Sequence, residues 1–238
     1  MEVGQCSFVQ REVRGLLNWQ PCPFQRRNDG VSPIRQVVGT FPDQGVISIL
    51  ANKVTITSGG LPPSKSHLIR WLLLASQGNQ CVEIQGVKGA ATDACAMRDS
   101  LIQLGVEIDI KEDTWAVKGV GGNGFQTPLN ELNFLNSGTA LRLLSIATTR
   151  IGEWITINGD STLEARINRG FWDSLGVELA FDSNDQKLPM KIKGPMKLNS
   201  LTLDCSKTSQ HLSGILLSMP ARNEDLVLAI DGDIVSRR

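Results

Sequence analysis

The sequence has almost no charge imbalance: 24 Lys and Arg residues stand against 24 Asp and Glu in a chain of 238 residues. A global field that would draw the chain to nucleic acid or to a membrane surface is therefore missing, and each basic residue has to be weighed where it stands. No apolar run approaches the roughly 20 residues that cross a bilayer; the stretch Trp71–Ala75 is far too short. Only two histidines are present, His67 and His211, neither in an HExxH-type pattern, which argues against a metal centre of the zinc type. The cysteines (Cys6, Cys22, Cys81, Cys95 and Cys205) are odd in number, scattered and without a CxxC pair. A disulfide framework is not expected; packing thiols in a reduced, cytoplasmic protein are. The N-terminus lacks the apolar core of a signal peptide, and Glu2, Glu12 and Asp29 argue against a transit peptide. Residues 1–45 show no sustained period and carry Pro21, Pro23, Pro33 and Pro42, so they read as an irregular extension.

From Val46 onward the pattern becomes regular, and at 41% hydrophobic content the remaining chain is long enough to bury a real core. Leu68, Ile69, Leu72, Leu73 and Ala75 fit a helix, and Cys81–Ile84 a strand. Ala94, Met97, Leu101 and Leu104 fit a second helix that Gly105 can end in a left-handed cap. Two strands follow, over Val106–Ile110 and Trp115–Lys118. The same words then return. Leu104-Gly105-Val106-Glu107-Ile108 reappears as Leu175-Gly176-Val177-Glu178-Leu179, and Val117-Lys118-Gly119 as Ile192-Lys193-Gly194. Gly86, Gly159 and Gly232 close three apolar strands at two equal intervals of 73 residues. The order predicts an α/β class of tandem βαβαββ-like units, with core helices inside and sheets outside.

Each unit's core helix begins with small polar residues: Ser64-Lys65-Ser66, Asn136-Ser137-Gly138-Thr139, and Thr208-Ser209-Gln210. Serine and threonine cap helices, so one such start is usually only a cap. Free N–H groups and the positive end of the dipole also make a helix start an anion site. Arg70 and Arg142 lie one turn inside their helices and can reach back to that end, Lys65 adds a mobile cation, and Gly138 leaves room for a ligand beside the backbone. Three related starts should converge on one face as a pocket for a polyanionic small molecule.

The segment Leu61-Pro62-Pro63-Ser64-Lys65-Ser66-His67-Leu68-Ile69-Arg70 resembles the opening phosphate-binding segment of the 5-enolpyruvylshikimate-3-phosphate (EPSP) synthases. Asn136-Ser137-Gly138-Thr139-Ala140-Leu141-Arg142 resembles that family's loop for phosphoenolpyruvate, and Arg166 stands where the family has an arginine on the same ligand. Thr208-Ser209-Gln210 resembles its Ser-Ser-Gln for shikimate 3-phosphate, and Gly232–Ser236 a further segment serving that ligand. The five matches agree in order and spacing over about residues 46–238, which are expected to form the domain of the family's N-terminal half, truncated in its third repeat.

The resemblance implies a transferase of the shikimate pathway that moves the enolpyruvyl group of phosphoenolpyruvate to the 5-hydroxyl of shikimate 3-phosphate, without a metal or other cofactor. It implies Lys65 between the two ligands as the catalytic residue. Ser66, Arg70, Thr208, Ser209, Gln210 and Ser236 would serve shikimate 3-phosphate, while Asn136, Gly138 and Arg166 would serve phosphoenolpyruvate. Two phosphates and two carboxylates need many donors, and arginine offers bidentate geometry to each. The chain departs from the family at Thr162, where an arginine is usual, and at Ile167, where a proline is usual. The resemblance also implies a second half carrying the acidic general base and further arginines, so turnover by these residues alone is not expected. Two other readings stand beside it: a non-catalytic phosphometabolite-binding fragment, and the sister UDP-N-acetylglucosamine enolpyruvyl transferases, which place Asn where this chain has Ser66 and carry a reactive loop cysteine.

Overall fold

A computed structural model describes residues 39–41, 45–50 and 53–57 by their backbone, and residues 63–183, 187–221 and 225–235 more fully. Residues 1–38 of the expected extension, and Ser236, lie outside the described residues.

Leu68, Ile69, Leu72 and Leu73 line one buried face of α1 (Lys65–Gln77), as their spacing requires. Fully burying each such side chain contributes about 1.5–3 kcal/mol, so the helix is held by packing rather than by propensity. The first unit continues with β4 (Cys81–Gln85), α2 (Thr92–Gln103), β5 (Glu107–Ile110) and β6 (Thr114–Lys118). It is preceded by β1 (Gly39–Phe41), β2 (Gly45–Leu50) and β3 (Lys53–Thr57). The second unit runs β7 (Leu132–Asn133), α3 (Gly138–Thr148), β8 (Ile155–Asn158), a 3-10 segment (Ser161–Arg166), α4 (Arg169–Ser174), β9 (Glu178–Phe181) and β10 (Met190–Lys193). The third contains β11 (Ser200–Asp204), α5 (Gln210–Ser218) and β12 (Val227–Asp231).

The sheets repeat one plan, and the α/β class with repeated units stands. β3 is parallel to β4, β7 to β8, and β11 to β12 across the core helices. In the first two units an antiparallel pair is then added, giving the orders β1-β2-β3-β4-β6-β5 and β7-β8-β10-β9. Gly105 and Gly176 follow α2 and α4 with φ of 90° and 62°, the left-handed geometry that ends a helix without a Cβ clash. Gly119 and Gly194 also match: a Cβ on either would overlap the last carbonyls of α1 or α3.

Two expectations are corrected. Part of the segment 1–45 is sheet, because Gly39–Phe41 pairs antiparallel with Gly45–Ile47; three residues are too few to show a period, and ladder pairing decides. Cys205 is buried, but Cys95 is half-buried and Cys81 exposed, since Cys81 is the first residue of β4 and Ile84 its buried one.

The core helices α1, α3 and α5 pack on one another, and their C-terminal ends are tied together. Gln77 Nε2 donates to Leu217 O at 3.0 Å. Arg150, just past α3, donates from Nη1 to Gln77 Oε1 at 3.2 Å and from Nε to Ala147 O at 3.1 Å. The three helix starts therefore lie away from this knot, on the opposite side of the core.

Candidate functional site

α3 and α5 lie side by side in the same direction, so their first turns meet. Gln210 is the link: its Nε2 donates to Thr139 Oγ1 at 3.1 Å, and its Oε1 accepts from Arg142 Nη1 at 2.7 Å. Further along, the absent side chain of Gly214 lets Ile146 and the Arg142 carbonyl come close, which sets the separation of the two helices. Arg142 Nη2 donates to Arg166 O at 3.0 Å, drawing the end of the 3-10 segment onto the same corner. Arg166 Nη1 reaches Asn136 O at 3.4 Å. Burial, and then the neighbouring charge of Arg166, push the Arg142 pKa down. Its Nε is buried without a hydrogen-bond partner.

The start of α1 carries the other predicted cations. Lys65 is exposed and stands 3.6 Å from Asp93 Oδ1, in the first turn of α2. Arg70 turns back one helical turn and donates from Nη1 to Ser66 O at 2.8 Å. Half-burial lowers its pKa. Cations at helix starts oppose the positive end of the dipole. Lys65, Arg70 and Arg142 therefore stand where the dipole disfavours a cation, offset at Lys65 by Asp93, and Arg166 lies beside the start of α3.

Of the three N-cap serines, only Ser137 acts as a cap, accepting from Ala140 N at 3.3 Å. Ser64 and Ser209 make no side-chain cap bond. Thr208 Oγ1 instead accepts from Gln210 N at 3.2 Å. Gly138 is close-packed for a reason other than the expected one: a Cβ there would come within 2.9 Å of Arg166 Cδ and Nη1. The space predicted for a ligand against this backbone is where the Arg166 side chain lies. His211, next to Gln210, is buried and stacks on Phe171 at 3.8 Å between centroids. Burial, reinforced by Arg142, lowers its pKa to about 4, so it stays neutral near pH 7.

Asn136, Gly138, Arg166, Thr208 and Gln210 are thus joined in one cluster with Thr139 and Arg142, and Ser209 is the N-cap of α5 within it. Lys65, Ser66 and Arg70 begin the neighbouring core helix. Two members are additions to the expected set. Arg142 was expected only to reach the helix end, yet it braces both Gln210 and Arg166. Asp93 carried too weak a signal, because an acid in a first turn is already explained by the helix dipole.

A family model described as EPSP synthase (3-phosphoshikimate 1-carboxyvinyltransferase) matches residues 52–237. The 3-phosphoshikimate 1-carboxyvinyltransferase of Methanothrix thermoacetophila is 29% identical over 180 residues, 74% of this chain and 42% of that protein. The protein of the same name from Pseudoalteromonas atlantica is 33% identical over 200 residues, 79% of this chain and 46% of its own length. A solved structure of EPSP synthase from Acinetobacter baumannii aligns with a TM-score of 0.58 at 26% identity, over 70% of this chain and 38% of that one. The chain spans less than half the length of these relatives.

Proposed function

The chain belongs to the EPSP synthase family, in its N-terminal-half domain, and from that premise we propose that its cationic corner binds shikimate 3-phosphate for enolpyruvyl transfer from phosphoenolpyruvate. The observation that carries the proposal is that Lys65, Arg70 and Arg142 stand in the opening turns of packed helices, against the dipole, with Arg166 drawn onto the start of α3. A phosphate or carboxylate there satisfies guanidinium and backbone donors together.

In this reading Lys65, Ser66, Arg70, Thr208, Ser209 and Gln210 hold shikimate 3-phosphate, as does Ser236. Asn136 and Arg166, whose side chain Gly138 makes room for, form the smaller share for phosphoenolpyruvate. Lys65, exposed and 3.6 Å from Asp93, is placed in this reading to approach both ligands and to balance charge during transfer. The proposed share of this chain is binding and orientation, with proton transfers made by groups of the rest of the family's fold.

Calorimetric titration tests the proposal. Shikimate 3-phosphate should bind, unphosphorylated shikimate should bind much more weakly, and phosphoenolpyruvate should be weaker than shikimate 3-phosphate. Arg70→Ala should weaken shikimate 3-phosphate by about tenfold or more, the equivalent of one charge-assisted hydrogen bond. Ser209→Ala removes only a neutral hydroxyl and should cost a few-fold. Equal affinity for shikimate with and without its phosphate would overturn the assignment.

A further inference from the structure

His211 is a buried titratable side chain that the binding proposal leaves unused. It is the second residue of α5, a place held by Ser66 in α1 and Thr139 in α3. Thr139 meets Gln210 through its hydroxyl; the longer imidazole of His211 reaches a different helix. Its ring lies flat on Phe171 of α4, 3.8 Å between centroids and 6° from parallel. Among the described residues the ring makes no hydrogen bond, so stacking holds it. Burial and the nearby Arg142 keep it uncharged near pH 7, and a neutral ring can lie beside that guanidinium without repulsion.

The base of the stack is firm and the start of α5 is not. Phe171 is buried, meets the fully buried Trp172 edge-on at 5.2 Å, and its N–H donates to the Asn168 cap at 3.4 Å. α5 has nine residues, and Ser209 makes no side-chain cap bond at its start, whereas Ser137 caps α3. Two adjacent side chains hold that first turn from outside. Gln210 bonds to Thr139 and Arg142 of α3, and His211 stacks on Phe171 of α4. Consecutive helical residues point about 100° apart, so the two contacts grip the turn from two directions and stop it from rolling about its axis.

We propose that His211 is a positioning residue: its stack on Phe171 sets the rotation of the first turn of α5, and so the direction in which Ser209 and Gln210 face a ligand. Both residues hold shikimate 3-phosphate in the reading above, on which this inference rests. His211 acts through them and not by touching the ligand. Without the ring, Gln210 keeps a hold on α3 while the turn is free to roll. Its amide then has to be ordered when the ligand binds, and affinity falls by the cost of that ordering.

Calorimetric titration and amide hydrogen exchange on the full chain test this with three variants. His211→Ala removes the ring, Phe171→Leu removes its partner in another unit, and His211→Phe restores a flat ring. The first two should each weaken shikimate 3-phosphate about tenfold, and no further when combined, while His211→Phe stays within about twofold of the parent. Inorganic phosphate, which answers to Arg70 on α1, should bind the parent and all variants alike. The Ser213 amide, bonded to Ser209 O at 3.0 Å across the first turn, should exchange about tenfold faster in His211→Ala and at the parent rate in His211→Phe. Equal loss of phosphate and shikimate 3-phosphate affinity would show general loosening and overturn the proposal. So would His211→Phe behaving as His211→Ala, losses that add in the double variant, or unchanged exchange at Ser213. A parent that binds no shikimate 3-phosphate would instead overturn the functional reading, and the exchange comparison alone would then decide whether the stack fixes the turn.

Discussion

The two ends of the three core helices are both polar, yet only at one of them do the cations lie against the favourable end of the helix dipoles. At the C-terminal ends, the buried guanidinium of Arg150 sits among helix carbonyls, with Phe125 4.6 Å from it and Gln77 joining α1 to α5. A cation there complements the negative end of each dipole, and burial lowers its pKa only to about 10, leaving it charged. At the N-terminal ends the sign is wrong for self-sufficiency, since arginines and a lysine stand where an anion belongs. The same helices thus have one end whose cations suit the dipoles and one end that we propose is completed by a ligand.

Four measurements can break or sharpen that contrast. The largest effect is expected from paired glycines. Gly194→Ala drives a Cβ into the backbone carbonyls at the end of α3 and should cost about 3 kcal/mol or more by urea unfolding. Gly138→Ala meets mainly the far end of the Arg166 side chain and should cost less than about 1 kcal/mol; equal losses would mean that both ends are equally structural. Next, Arg150→Ala should destabilise by about 2–3 kcal/mol, through lost packing and hydrogen bonds. Arg70→Ala should stay within about 0.5 kcal/mol of the parent, because it relieves an adverse helix-dipole interaction as it loses contacts.

His211 adds a pH dependence from the ligand end. Its folded pKa, about 4, lies below the ordinary 6.5, so between these values the unfolded chain binds the extra proton. Stability is fully present above pH 6.5 and is lost as pH falls toward 4, by about 3 kcal/mol in all. His211→Gln should flatten that window in thermal unfolding measured across pH; an unchanged slope would place the titration elsewhere. The smallest effect is expected from inorganic phosphate at tenfold excess over its Kd, which should stabilise the parent by about 1.4 kcal/mol. Arg150→Ala should keep this response and Arg70→Ala should lose most of it. A response that follows Arg150 would reverse the assignment of the two ends.

Much of this was legible before any coordinates. The spacing of Leu68, Ile69, Leu72 and Leu73 marks α1, and the equal intervals between Gly86, Gly159 and Gly232 mark the repeat. The helix starts at Lys65, Gly138 and Gln210 follow from short polar words before apolar runs. What escaped the sequence was contact at long range. Nothing local to Arg142 says that it joins Gln210 to the 3-10 segment across 68 and 24 residues of chain. Gly138 signals a close approach but not whether the neighbour is a ligand or Arg166. Ser64, Ser137 and Ser209 look equivalent as caps, yet only Ser137 is buried and caps.

The sequence by itself determined the units, their order, the direction of each core helix within its unit, and the residue types at each helix start. These depend on local periodicity, chain connectivity and the chirality of the backbone. Tertiary structure alone decided which polar groups are spent inside the protein and which remain for a ligand. That choice depends on distances between residues far apart in sequence: Gln77 reaches Arg150 and Leu217 at one end, while Gln210 reaches Thr139 and Arg142 at the other. A buried cation is stabilised or exposed to repulsion according to which helix end lies beside it, and only packing brings the two together.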